Sequence, residues 1–130
     1  MRKPGWPEIL VAKISEWKTI PFEWGTTDCA MFVVDVVNAM TDRQIVNRAL
    51  GAYGSERGAL RSIAALGGNL SDLVTLRFGA PIAPGFAQRG DVLLREGNLG
   101  ICVGVNGAFR TPDGVVDFPT LDCECAWRVE

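Results

Sequence analysis

The hydrophobic pattern of the chain changes its period once, near Gly90, and this change limits the possible folds more than any other feature. Before Gly90 apolar residues recur at helical spacing, and after it they form short runs with a period of two. Helices followed by a run of strands are typical of an α+β domain, with N-terminal helices packed on a C-terminal antiparallel β-sheet. With 130 residues, 48% of them hydrophobic, the chain is expected to form a single domain over residues 1–130.

The first part of the chain predicts several helices. A short amphipathic helix is expected from residue 7 to about residue 18, and a strongly apolar one, capped by Asp28, to about residue 40. Residues 43–50 could form a helical turn or two, and residues 55–66 repeat apolar positions before a glycine pair. Asn69 is expected to cap a last helix that ends at Gly79.

The second part predicts an antiparallel meander of short strands. The expected strands cover residues 91–95, 99–105, 108–111 and 115–118, with turns at Glu96-Gly97-Asn98 and Pro112-Asp113-Gly114. A last strand alternates, and its two expected faces are Cys123, Cys125, Trp127 and Val129 on one side and Glu124, Ala126, Arg128 and Glu130 on the other.

Cys29 is the candidate nucleophile. It lies in the first turn of the predicted apolar helix, where free backbone N–H groups and the helix dipole favour a thiolate. Hydrolysis by a thiol normally also needs an imidazole to move protons, and the chain contains no histidine. The alternative is that Cys29 is a small core residue at the top of the stripe that continues with Phe32 and Val33, and helical spacing alone favours this reading.

An ordered set of motifs surrounds Cys29. The segment Pro21-Phe22-x-Trp24-Gly25-x-x-Asp28-Cys29 precedes Phe32-Val33, and Gly90-Asp91-Val92 precedes Asn98-Leu99-Gly100-Ile101-Cys102-Val103-Gly104. This set resembles the nucleophile loop and the two following strands of NlpC-type cell-wall cysteine peptidases, over residues 21–37 and 90–110. The resemblance implies a small papain-like fold in which the second strand brings a histidine to the cysteine.

The chain departs from that family at the positions that the family uses for catalysis. Asn98 stands at the family's histidine position, Arg110 stands near the third, polar triad position, and Ala30-Met31 replaces Ser-Gly after the nucleophile. The resemblance thus implies Cys29, Asn98 and Arg110 as vestigial catalytic positions. Strand alternation places Asn98 on the face of Cys102, from which it could still face Cys29. Asn98 cannot carry a proton, and without the resemblance it is read as a turn residue that closes a hairpin.

Three residues before the nucleophile are the candidates for substrate binding. The resemblance implies that Phe22 and Trp24 line a groove beside Cys29, whereas packing of Trp24 in the core is the simpler alternative. Asp28 is included with them by position, although a helix cap is its more ordinary role.

The resemblance implies a degenerate domain that acts as a structural or interaction component, of the kind found in tail tips of phages, prophages and gene transfer agents. Its expected partners are other tail proteins. The alternative is an active hydrolase of peptidoglycan stem peptides that uses Cys29 with a non-histidine base such as Asp28, Asp91 or a partner's carboxylate. A third possibility is a metal-binding module built on Cys123 and Cys125.

Charge and hydropathy exclude other classes. A net charge of −2 without a Lys/Arg block argues against nucleic-acid and anionic-membrane partners. The first residues lack the apolar stretch of a signal peptide, so we expect synthesis in the cytoplasm. A final place in a virion tail is implied by the resemblance. Reduced thiols are then expected rather than disulfides, and no cofactor or metal is predicted.

Overall fold

Helices and one antiparallel sheet make up the part of the chain that the computed structural model describes, residues 1–23, 28–45 and 69–130. The described helices are α1 (Trp6–Trp17), α2 (Cys29–Met40) and α3 (Leu70–Phe78). The strands are β1 (Val92–Arg95), β2 (Asn98–Cys102), β3 (Asn106–Thr111), β4 (Gly114–Pro119) and β5 (Cys125–Trp127). The α+β class is therefore confirmed. The helix predicted over residues 55–66, most of the turn predicted over residues 43–50, and Trp24 lie outside the described residues.

The helix starts follow from capping side chains. The Asp28 carboxylate accepts a hydrogen bond of 3.1 Å from the backbone N–H of Met31, the third residue of α2. Asn69 caps α3 in the same way, accepting from the N–H of Asp72 at 2.9 Å. Both predicted caps are confirmed, and α2 begins at Cys29 itself.

The sheet has the strand order β4-β3-β2-β1-β5. The first four strands form the predicted meander, and Glu96 and Gly97 make the β1–β2 turn with φ values of 49° and 79°. Positive φ at both turn residues matches the right-handed twist of a hairpin. The last strand crosses to the far edge and pairs with β1, where Leu93 lies opposite Ala126.

Each face of the sheet covers its own apolar core. The helices pack on the face that carries Leu99, Ile101, Ala108 and Trp127. The other face carries a smaller cluster of Leu93, Cys102, Phe109, Cys123 and Ala126. The faces predicted for the last strand were therefore partly wrong: Cys123 lies with Ala126 rather than with Trp127. A 3₁₀ turn at Thr120–Asp122 precedes Cys123, and regular alternation begins only at Cys125.

None of the described helices has both the length and the hydropathy that crossing a membrane requires.

Candidate functional site

The site forms where the first turn of α2 meets the start of β2. The backbone N–H of Leu99, the second residue of β2, hydrogen-bonds the sulfur of Cys29. The Leu99 side chain is buried in the core beneath the helices, together with Phe32 of α2. This packing holds the sulfur against β2, which contains the segment that the resemblance placed beside the cysteine.

Burial controls the ionisation of Cys29. Desolvation is the largest influence and raises the pKa of the thiol from 9.0 to about 11, and the nearby Asp28 carboxylate raises it further. Backbone N–H groups of Leu99, Ala30 and Cys29 itself act in the opposite direction but do not compensate. The expectation that the helix N-terminus would yield a thiolate was therefore wrong, because partial burial of the thiol disfavours its charged form. At neutral pH only about one molecule in ten thousand carries the thiolate.

Asn98 is the first residue of β2 and is exposed. It lies opposite Arg95 across the two-residue turn, so it does close the hairpin, as its simpler reading expected. Strand alternation assigns Asn98 to the face of Cys102 and the sheet's smaller core, whereas Leu99 lies on the face of the helices. The β2 group that reaches the Cys29 sulfur is the Leu99 amide. A side-chain contact between Asn98 and Cys29 stays a prediction.

Arg110 lies on β3, next to this point. Continuing the register in which Gly100 faces Phe109 places Arg110 beside Leu99 on the helix-facing side of the sheet. Arg110 is only 2% exposed, and desolvation lowers the pKa of its guanidinium. The guanidinium donates a hydrogen bond of 3.4 Å to the carbonyl of Trp17.

Phe22 lies close to Arg110. Its ring centroid lies 5.6 Å from the Arg110 guanidinium carbon, and the residue is half-buried. The structure therefore brings Phe22 and Arg110 to the sheet face that Cys29 also meets. Sequence reasoning missed the cation–π contact. The sequence did contain a sign of a special role for Arg110, because this charged residue directly follows the apolar or small residues Gly107-Ala108-Phe109.

Asp28 and Asp91 both have structural roles. Asp28 is 1% exposed and its carboxylate caps α2, so the cap interpretation is confirmed. Asp91, a candidate alternative base, is fully buried and receives a hydrogen bond of 2.9 Å from the Arg2 guanidinium. Backbone N–H groups of Gln88 and Val129 donate to the same carboxylate. Its oxygens are thus occupied in tying the N-terminus to the end of β5.

Comparison with known families gives one match. A family model described as a domain of unknown function, DUF6950, covers residues 1–129. The chain belongs to the DUF6950 family. Comparison with curated proteins gives no match, and neither does comparison with solved structures. The matched range contains α1, the Cys29 neighbourhood and every strand of the sheet.

Of the other cysteines of this DUF6950 chain, Cys102 and Cys123 lie in the smaller core, and Cys125 packs against the core beneath the helices. All four cysteines are free thiols. Burial raises the pKa of Cys123 and of Cys125, and Cys102 is enclosed beside Thr120, with 3.7 Å between sulfur and hydroxyl. Among the residues described, no three Cys, Asp or Glu side chains lie close enough together to hold a metal ion.

Proposed function

We propose that this chain is a catalytically degenerate papain-like domain of the NlpC type, which serves as a structural or interaction component of a phage or prophage tail tip. One observation carries the proposal. The Cys29 thiol is half-buried and protonated at the start of α2, against β2, in a chain that has no histidine.

The arrangement around Cys29 supports a papain-like ancestry. The cysteine begins a buried helix, and this helix packs across an antiparallel sheet whose neighbouring strands carry Asn98 and Arg110. In the family that the sequence resembles, the same order along the chain supplies the nucleophile, the base and the third polar residue. The resemblance and the packing of α2 against β2 are independent observations, one from motifs and one from geometry.

Proton transfer is the step that the site lacks. A leaving amine needs a proton, and positioned proton transfer contributes about 10²- to 10⁴-fold to such reactions. The amide of Asn98 cannot take up a proton from a thiol and return it, and the guanidinium of Arg110 is already protonated. Asp28 is engaged in the helix cap and Asp91 in the contact with Arg2. With a protonated nucleophile and no proton carrier identified beside it in the described part of the chain, the domain is better suited to presenting a binding surface than to hydrolysis.

Particle assembly tests this proposal. We expect that deletion of the gene from the phage or prophage that encodes it abolishes infective particles, and that Cys29→Ala restores them as well as wild type does. Mass spectrometry of purified tails should detect the chain. Cys125→Ala is the matched control, since it removes another half-buried thiol with a raised pKa. Normal particles without the gene, or loss of infectivity confined to Cys29→Ala, would overturn the structural role.

A further inference from the structure

One edge of the sheet is paired with a further segment of the chain, whereas no described residue pairs with the other edge. The outer edge of β5 is closed by Ile82, whose N–H donates to Ala126 at 2.7 Å and whose carbonyl accepts from Ala126 at 2.9 Å. At the opposite edge, β4 (Gly114–Pro119) pairs with β3 on its inner side. On its outer side, no strand or bridge among the described residues pairs with it. An open edge presents alternate backbone N–H and C=O groups that can template another strand.

The side chains of β4 are only partly covered by the rest of the described chain. No residue of β4 is fully buried, and Val115, Val116 and Phe118 are each half-buried apolar residues. Beyond the end of the strand, Val105 is 86% exposed and Leu121 is 76% exposed. The hydrogen bond of 2.8 Å from the N–H of Thr120, next to Leu121, to the carbonyl of Val105 places these apolar residues near each other. A strand added to β4 would cover apolar surface that is now in water.

The charges near β4 favour a basic partner segment over a second copy of this chain as the occupant of the edge. Asp113 and Asp117 are exposed on the β3–β4 hairpin, and neither forms an ion pair within the described ranges. No Lys or Arg occurs between Arg110 and Arg128. If β4 paired with β4 of a second copy, carboxylates from both copies would share one edge and repel each other. A partner strand with basic side chains would instead place opposite charges across the new ladder.

We propose that the outer edge of β4 binds an extended, lysine- or arginine-containing segment of a partner protein by β-strand addition. Main-chain hydrogen bonds to the edge supply affinity, and the carboxylate of Asp117 selects for basic side chains. This binding edge does not depend on Cys29 or on papain-like ancestry, so it goes beyond the proposed function and can fail without it.

The test uses a defined probe. A short capped peptide of alternating lysine and valine is titrated to millimolar concentration into the isotope-labelled full chain, and backbone amide shifts are recorded by NMR. Matched peptides carry glutamate for lysine, or a central proline that breaks the ladder. We expect the lysine peptide to shift amides of β4, and the glutamate and proline peptides to shift them much less.

Two variants test the role of charge. Asp117→Lys should weaken binding of the lysine peptide about threefold or more, because an attractive cross-strand pair becomes a repulsive one. Asp117 is exposed and outside any described ion pair, so this variant should keep the wild-type circular dichroism spectrum. Asp42→Lys makes the same charge change at an exposed position after α2 and should leave the affinity unchanged.

Several results would overturn the proposal. They are the absence of β4 shifts at millimolar lysine peptide, shifts that map to another surface, equal binding of the glutamate peptide, and equal weakening by both charge reversals. Concentration-dependent β4 shifts without any peptide would show that a second copy occupies the edge instead.

Discussion

Alkylation of Cys29 by iodoacetamide should be about 100-fold slower in the folded chain than in the unfolded chain at pH 7. Only the thiolate reacts, and the unperturbed pKa of this thiol is 9.0. Burial raises the pKa of the Cys29 thiol to about 11, which lowers the thiolate population at neutral pH about 100-fold. Restricted access of the reagent to the half-buried thiol can only slow the reaction further.

The assay follows modification of the peptide that contains Cys29 by mass spectrometry, in buffer and in urea, over a range of pH. Between pH 8 and pH 10 the folded chain should gain about tenfold in rate per pH unit, whereas the unfolded chain should level off once its thiol has ionised. The shape of the pH–rate profile distinguishes a raised pKa from restricted access of the reagent. Restricted access lowers the rate at every pH but does not change the pH at which the profile levels off. A folded-state profile that levels off near pH 9, or a rate at pH 7 within tenfold of that in urea, would refute the reasoning.

The same pKa shift makes stability depend on pH. Because the folded pKa lies above the unfolded value of 9.0, the stabilisation is present below about pH 9 and is lost as the pH rises towards 11. The shift of about two units corresponds to at most about 2.7 kcal/mol. Urea unfolding of wild type and Cys29→Ser across this window isolates the contribution, since the difference between the two proteins should shrink with rising pH. A constant difference would contradict it.

Three further substitutions test the packing, the cap and the resemblance. Gly100→Ala should cost about 1–3 kcal/mol in urea unfolding, because the added carbon would lie 2.6 Å from a ring on β3, whereas Gly85→Ala meets nothing within 4 Å and should be nearly neutral. Asp28→Ala should cost about 0.5–2 kcal/mol through loss of the α2 cap, and an unchanged midpoint would contradict that role. If position 98 corresponds to the family's histidine, Asn98→His should raise the alkylation rate of Cys29 at neutral pH about tenfold or more. An unchanged rate, which the assignment of residue 98 to the face of Cys102 favours, would remove Asn98 from the histidine position.

Local signals in the sequence predicted much of the fold. The apolar stripe after Asp28 gave α2 its bounds, Asn69 marked the start of α3, and Glu96-Gly97 marked the first hairpin. Each of these elements depends on residues within a few positions of one another, so period and capping chemistry were sufficient.

Features that depend on distant contacts could not be read in this way. The pairing of β5 with β1 and the ion pair between Arg2 and Asp91 join residues far apart in the sequence. Within the candidate site, the family resemblance pointed to Cys29 and to the strand beside it, but not to the extent to which the sulfur is desolvated. The helix N-terminus alone suggested a thiolate, and burial of the thiol reversed that expectation.

Digestion of purified peptidoglycan tests the central claim most directly. Wild type, Cys29→Ala and Cys125→Ala are incubated with sacculi and with isolated muropeptides, and released stem-peptide fragments are quantified by liquid chromatography and mass spectrometry. The account predicts no release above the buffer control for any of the three proteins. Release by wild type and by Cys125→Ala that is abolished in Cys29→Ala would contradict it.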